Sequence, residues 1–311
     1  MPRPRALARA VEPWLASTTP ACRDHPCRSV RQDRRERRFT VNRLSRYREG
    51  ARKAGAHAVR WECRLMIERT EDILTRDGAM ETFICHPERG GAFPAVLFLM
   101  DAPGVRDELR DMVRRLASVG YYVMLPNLYY RAGRDTTFGP DVLEAGSAER
   151  ERMRAVRTKM TIPPVMEDIA AMLAHVDRQS AEKPGPVGAH GYCMSGPYAL
   201  AAAARYPDRI AAAASFYGTW LVSDAEESPH LTLARTRGEL YIACAEHDEL
   251  APLPMVEELR ALFMQSGARG EIELYPDVHH GFAFPQRWCY DKPASERHWE
   301  RLIALYRRCL G

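Results

Sequence analysis

The chain has 311 residues, 46% of them hydrophobic and 28% charged, which suits one large α/β domain or two small ones and excludes a disordered or fibrous protein as a whole. Its longest apolar runs, such as 95–100 and 200–204, fall far short of the roughly 20 residues a membrane-spanning helix needs. Eight cysteines are too sparse for a disulfide-stapled secreted fold, so the expectation is a protein without membrane contact in a reducing, cytoplasmic compartment.

The net charge of +4 conceals an asymmetry, because residues 1–65 carry 17 lysines and arginines against 6 acids, a net of +11, and 66–311 carry −7. The basic segment lacks a sustained apolar face, and its expected state is a disordered extension with no catalytic role. A nucleic-acid contact or a targeting role is the alternative for that arm, and nucleic acid is not expected to bind elsewhere. Within it, Cys22 and Cys27 flank His25, but no second ligand pair stands at zinc-finger spacing, so no metal is expected.

From Met66 onward short apolar runs alternate with amphipathic helices. Residues 81–85 read as a strand and 95–100 as a central strand buried on both faces. Leu109, Met112, Val113 and Leu116 give a helix over 106–118 that stops at Gly120, and 121–125 returns to strand. Helices follow over 148–159 and 165–177, then a strand over 186–190, a helix over 196–206, strands over 211–217 and 239–243, a helix over 255–265 and a last strand over 271–275. This order predicts one doubly wound, mostly parallel α/β domain over 66–311, with its chemistry on loops at the carboxyl ends of the strands.

One such loop holds "GAHGYCMSGP", in which Cys193 stands between Gly191 and Ser195 just ahead of a helix. A sharp strand-to-helix turn raises its central side chain above the sheet and needs small flanking residues. The helix amino terminus favours a thiolate there, and the Met194 amide becomes an oxyanion donor. A thiolate nucleophile calls for a base and an orienting acid. Asp248 in "CAEHDELAP" and His280 in "DVHHGFAFP" follow later strands in the order nucleophile, acid, histidine of α/β-hydrolases. Glu246 or Asp277 in place of Asp248, and His279 in place of His280, are the rival assignments. His190 and His247 read as residues with local hydrogen bonds, and Cys85, Cys244, Cys289 and Cys309 as packing or surface residues.

These residues resemble the dienelactone hydrolase family, a cysteine-using branch of the α/β-hydrolases. "GYCMSG", "AEHDELAP", "HHGF" and "LMDAPGVRDELRDMVRRLASVGYYVMLPNLYYR" carry the resemblance, which spans 66–311 and excludes 1–65. It implies a thiol-activating role for Asp101, where relatives tend to place a glutamate, and a second oxyanion amide from Ala102. It also implies an arginine four residues after the catalytic histidine to grip a substrate carboxylate. Here that residue is Phe284, so a less charged or aromatic ester is the expected substrate, unless Arg287 on one side and Arg152 or Arg154 on the other supply the grip. Tyr129, Tyr130, Tyr217, Trp220 and Phe282 are the remaining pocket candidates.

The resulting expectation is a monomeric or homodimeric, cofactor-free hydrolase of small-molecule esters or lactones, acting through Cys193, His280 and Asp248 and a thioester. A broad carboxylesterase or thioesterase on the same residues is one alternative. A non-catalytic thiol redox sensor built on the same fold is the other.

Overall fold

The computed structural model describes residues 66–134, 136–139, 141–179 and 183–311. The expectations for the basic arm and for Cys22, His25 and Cys27 lie outside the described residues. Eight strands form one sheet: β1 (Met66–Thr75), β2 (Gly78–Pro87), β3 (Ala95–Leu99), β4 (Tyr122–Pro126), β5 (Val187–Tyr192), β6 (Ile210–Phe216), β7 (Glu239–His247) and β8 (Arg269–His279). Their order is β1-β2-β4-β3-β5-β6-β7-β8; β2 runs antiparallel to both its neighbours, and all other pairings are parallel. The order reverses at β3: the chain crosses from β3 to β4 on one side, then from β4 over β3 to β5 on the other.

Among the described residues six α-helices accompany the sheet: α1 (Asp107–Ser118), α2 (Ala148–Arg157), α3 (Ile162–Val176), α4 (Gly196–Arg205), α5 (Leu253–Ser266) and α6 (Lys292–Leu310). Every residue of β3, β4 and β5 is buried, as required of strands covered on both faces. The Arg115–Glu296 ion pair joins α1 to α6, and the hydroxyl of Tyr206, the residue just past α4, donates to the Met166 carbonyl of α3 (2.7 Å). On β5 the face carrying Gly188, His190 and Tyr192 meets α6. A Cβ on Gly188 would stand 2.6 Å from the Tyr306 ring, His190 Nδ1 pairs with the Tyr306 hydroxyl (2.8 Å), and the Tyr192 hydroxyl with His298 Nε2 (3.0 Å).

The structure departs from the sequence reading in two elements and several bounds. β1 was not expected as a strand, because "MIERTEDILT" is rich in charge; it survives at the sheet edge, paired along its whole length with β2. Nor was α6, whose Asp291 side chain accepts from the Ala294 amide and whose proline lies in the first turn. The α3 helix begins earlier than expected because its two prolines also sit in a first turn. β7 and β8 run four residues beyond their expected ends, so Asp248 and His280 follow their strands immediately.

Candidate active site

The turn after β5 is built by close contacts. Cys193 has φ 56°, a left-handed conformation that costs a non-glycine residue about 1–3 kcal/mol and persists only where its surroundings impose it. A Cβ on Gly191 would stand 2.1 Å from the Ser195 carbonyl oxygen, and one on Gly196 would stand 2.6 Å from Gly218 Cα. The strict glycine requirement therefore falls on 191 and 196. Ser195, which departs from the usual glycine pattern, is accommodated by its buried hydroxyl: Oγ accepts from the Tyr192 amide (3.0 Å) and lies within reach of the Leu99 and Tyr192 carbonyls (3.0 and 3.1 Å).

Asp248 and His280 meet because of strand register. His247 of β7 pairs with His279 of β8, so the next residues emerge side by side. Asp248 Oδ2 lies 2.7 Å from His280 Nδ1, while Oδ1 accepts from the amides of Leu250 (2.8 Å) and Ala251 (3.1 Å). His280 Nε2 is buried without a hydrogen-bond partner among the described residues; it shares a chamber wall with Cys193, the neighbour that most raises its pKa. Burial alone raises the thiol's pKa, but His280 and then Arg287 overcome it, and the net shift is downward. Burial likewise disfavours the charged imidazole, yet the Cys193 and Asp248 charges outweigh it and move the His280 pKa upward. The arrangement favours a thiolate–imidazolium pair.

The rival residues form a separate cluster. The Glu246 carboxylate accepts from the Asp277 amide (2.8 Å), His247 Nε2 stands 4.0 Å from Asp277 Oδ1, and the Asp277 side chain is 96% exposed. Glu246, His247 and Asp277 have ligand atoms within 4.8 Å of one another, the one grouping among the described residues with the proximity to hold a metal ion. His279 turns its ring toward His247 and Trp288 (5.1 Å each between centroids).

Asp101 follows β3 and is fully buried, but its hydrogen bonds go to arginines instead of the thiol. Arg106 binds both carboxylate oxygens (2.6 and 3.2 Å), and Arg287 binds Oδ2. The negative charge of Asp101 also works against thiolate formation at Cys193. Activation of the thiol by direct contact with Asp101 is thus not the geometry found. Ala102 and Met194 are linked from beneath: the Tyr129 hydroxyl reaches the Ala102 carbonyl (2.7 Å) and Met194 Sδ (3.4 Å).

Cys193 and His280 open into a chamber of about 150 Å³. Four arginines line it: Arg150, Arg154 and Arg157 from α2, and Arg287. The first three recur at i, i+4 and i+7, one face of a helix. Arg154 pairs with Glu151, whereas Arg150 and Arg157 have no carboxylate partner among the described residues. Arg287 is held over the Phe284 ring (4.4 Å), and Gly281 makes room for it, since a Cβ there would stand 2.5 Å from Nη1. Arg154 and Arg287, two of the arginines named as a possible carboxylate grip, thus line the chamber, joined by Arg150 and Arg157 from the same face of α2, whereas Arg152 does not.

Most of the proposed pocket aromatics are core. Phe284 is buried with Arg106 and Arg287 on its ring, and Phe282 stacks on Tyr275 (4.9 Å). The Tyr130 hydroxyl donates to Asp168 (2.7 Å), and Tyr129 is buried beneath Ala102. Tyr217 is buried edge-on to the His280 ring (5.0 Å), with its hydroxyl unpartnered. Arg152 turns to Glu149 and to the Phe138 ring, away from the thiol chamber. Of the candidates, Trp220, Arg154 and Arg287 line cavities at the site. His190 is buried on Tyr306, its pKa lowered by burial, and Cys85 and Cys244 are buried thiols pushed up to about 12. No helix among the described residues is long and apolar enough to cross a membrane.

Comparison with known proteins places this architecture. A sequence profile of the "Dienelactone hydrolase family" matches residues 80–310. A Synechocystis protein named "Putative carboxymethylenebutenolidase" is 27% identical over 231 residues, covering 72% of this chain and 89% of its own. A protein of the same name from Escherichia coli K12 is 26% identical over 241 residues, covering 75% and 83%. The crystal structure of a "Putative Dienelactone Hydrolase" from Klebsiella pneumoniae superposes with TM-score 0.69 at 22% identity, over 78% of this chain and 98% of that one, a likeness of fold. With the family matched across the whole of the sheet from β2 to the end of α6, the chain belongs to the dienelactone hydrolase family and is a hydrolase of carboxylic ester or lactone bonds.

Proposed function

We propose that the chain hydrolyses an ester or lactone bearing an anionic group, through Cys193, His280 and Asp248 and a thioester intermediate. The observation that carries this reading is the 2.7 Å contact of Asp248 with His280, which lines an arginine-rich chamber together with Cys193, a thiol of lowered pKa. The Cys193 thiolate attacks the carbonyl carbon, and the amides of Met194 and Ala102 take the oxyanion. As the C–O bond breaks, the His280 imidazolium gives its Nε2 proton to the departing alkoxide, leaving an acyl group on sulfur. His280, now neutral, accepts a proton from water as that water attacks the thioester, and the carboxylic acid leaves with the thiolate restored. Asp248 stays ionised and fixes the His280 tautomer and orientation. Arg287, whose Nη2 is bonded to Asp101, and the α2 arginines bind the substrate's anionic group; a guanidinium fork suits a carboxylate.

Hydrolysis of p-nitrophenyl acetate and a small lactone panel tests the reading. Turnover by the intact protein, with Cys193→Ala and His280→Ala each reduced about 10³-fold or more, supports it. Retention of activity in either variant contradicts it.

A further inference from the structure

A second cavity, of about 290 Å³, adjoins the chamber that holds Cys193. Met194, the residue after the nucleophile, lines it, and Arg157 lines both spaces. The chamber alone, at about 150 Å³, is below the roughly 300 Å³ at which small-molecule sites begin; with its neighbour it reaches that range.

The second cavity offers apolar contact. Ile162, Pro197 and Trp220 face it together with Met194, and two polar groups on its wall are satisfied within the protein. The Tyr198 hydroxyl donates to the Met160 carbonyl (2.7 Å), and Ser228 Oγ accepts from the Ser223 amide (3.0 Å) and pairs with His230 (2.7 Å). A ligand there gains by leaving water, with few hydrogen bonds to make.

Trp220 is held at this rim against local preference. It has φ 54° and remains 38% exposed, and its indole lies under the Arg157 guanidinium at 4.6 Å. Its position is tied to the nucleophile, because the preceding residue, Thr219, donates its amide to the Cys193 carbonyl (3.2 Å). An exposed tryptophan in a left-handed conformation, anchored to the reacting residue and capped by a cation, is strain placed at a functional boundary.

We infer that this cavity receives an apolar, ring-sized arm of the substrate while the carbonyl reacts at Cys193, with the Arg157–Trp220 pair partitioning the arginine-lined chamber from the apolar one. The inference rests on the ester-hydrolase reading and extends it to a substrate with two unlike ends.

The test uses the full chain, Ala225→Trp to fill the cavity from an exposed position on its wall, and Trp220→Ala to remove the indole. Two ester series are compared: p-nitrophenyl acetate against p-nitrophenyl benzoate for an acyl arm, and methyl against naphthyl acetate for an alcohol arm. In at least one series the bulky-to-small ratio of kcat/KM is expected to fall about tenfold in both variants; the series that responds identifies the arm. A change under threefold in both series overturns the inference while leaving ester hydrolysis standing. Fluorescence quenching by 4-nitrobenzyl alcohol, scored as wild type minus Trp220→Phe, reads occupancy without turnover. Saturable quenching supports the cavity even if every ester is inert, and linear collisional quenching overturns it.

Discussion

His280 Nδ1 lies 2.7 Å from Asp248 Oδ2, and the contact is a direct product of the β7–β8 register, in which His247 pairs with His279. Asp248→Asn keeps the shape of the side chain but offers an amide in place of the carboxylate that holds the imidazole. The expected result is a fall in kcat of about 10³–10⁴ with little change in thermal stability. Asp277→Asn and His279→Ala, changed in the neighbouring exposed cluster, are expected to stay within threefold of wild type. Steady-state kinetics on the three variants separates the assignments, and loss confined to the second pair would reverse them.

The downward shift of the Cys193 thiol and the upward shift of His280 set a pH dependence. Thiolate is the reactive form, so it is lost as pH falls through the depressed thiol pKa. The imidazolium that stabilises it is lost as pH rises through the elevated histidine pKa. Alkylation by iodoacetamide should therefore stay fast below the ordinary thiol value of 9.0. In His280→Ala the midpoint should move up. A wild-type midpoint at or above 9.0 would count against the pair.

Arginines on one face of α2 make a separable prediction. Arg150→Gln and Arg154→Gln, whose side chains line the chamber, should each lower kcat/KM about tenfold for esters carrying a carboxylate and much less for neutral esters. Arg152→Gln, on the other face and paired with Glu149, should leave the ratio of the two substrates unchanged. Equal losses on charged and neutral esters would remove the anion-binding role.

Buried histidines link stability to pH. Burial lowers the pKa of His298 to about 3, and it lowers that of His190 as well. Each is neutral when folded and takes up a proton on unfolding below its ordinary 6.5, so stability is fully present above pH 6.5 and is lost as pH falls toward 3. The slope is about 1.4 kcal/mol per pH unit per histidine. Urea midpoints between pH 7 and 5 should drop accordingly, and His298→Gln should be less stable at pH 7 but show a shallower pH slope. An unchanged slope would contradict the account.

The strand-end residues Cys193, Asp248 and His280 were legible because each follows an apolar run and stands among turn-forming or polar neighbours, a pattern that depends on local sequence alone. β1 was not, since paired charges at 68–69 and 71–72 in an edge strand look like loop until its partner β2 supplies the hydrogen bonds. In α6 the buried face includes Ser295 and His298, and His298 is satisfied by Tyr192 from 106 residues away, which interrupts the apolar stripe a sequence reading relies on. The pocket aromatics failed for a related reason: position on a loop does not fix which way a ring turns, and Phe282, Phe284 and Tyr217 turn inward to one another. The spacing of Arg150, Arg154 and Arg157 was present in the sequence, and helical periodicity would have placed them on one face, opposite to Arg152.

Covalent attachment at Cys193 is the central claim, and acid-quenched mass spectrometry of the protein during turnover of p-nitrophenyl acetate tests it most directly. The account predicts an acetyl adduct on the peptide containing Cys193, formed in the first turnover, persistent in Asp248→Asn and absent in Cys193→Ala. Turnover with no adduct, or with the acetyl group on another residue while Cys193→Ala remains active, would contradict it.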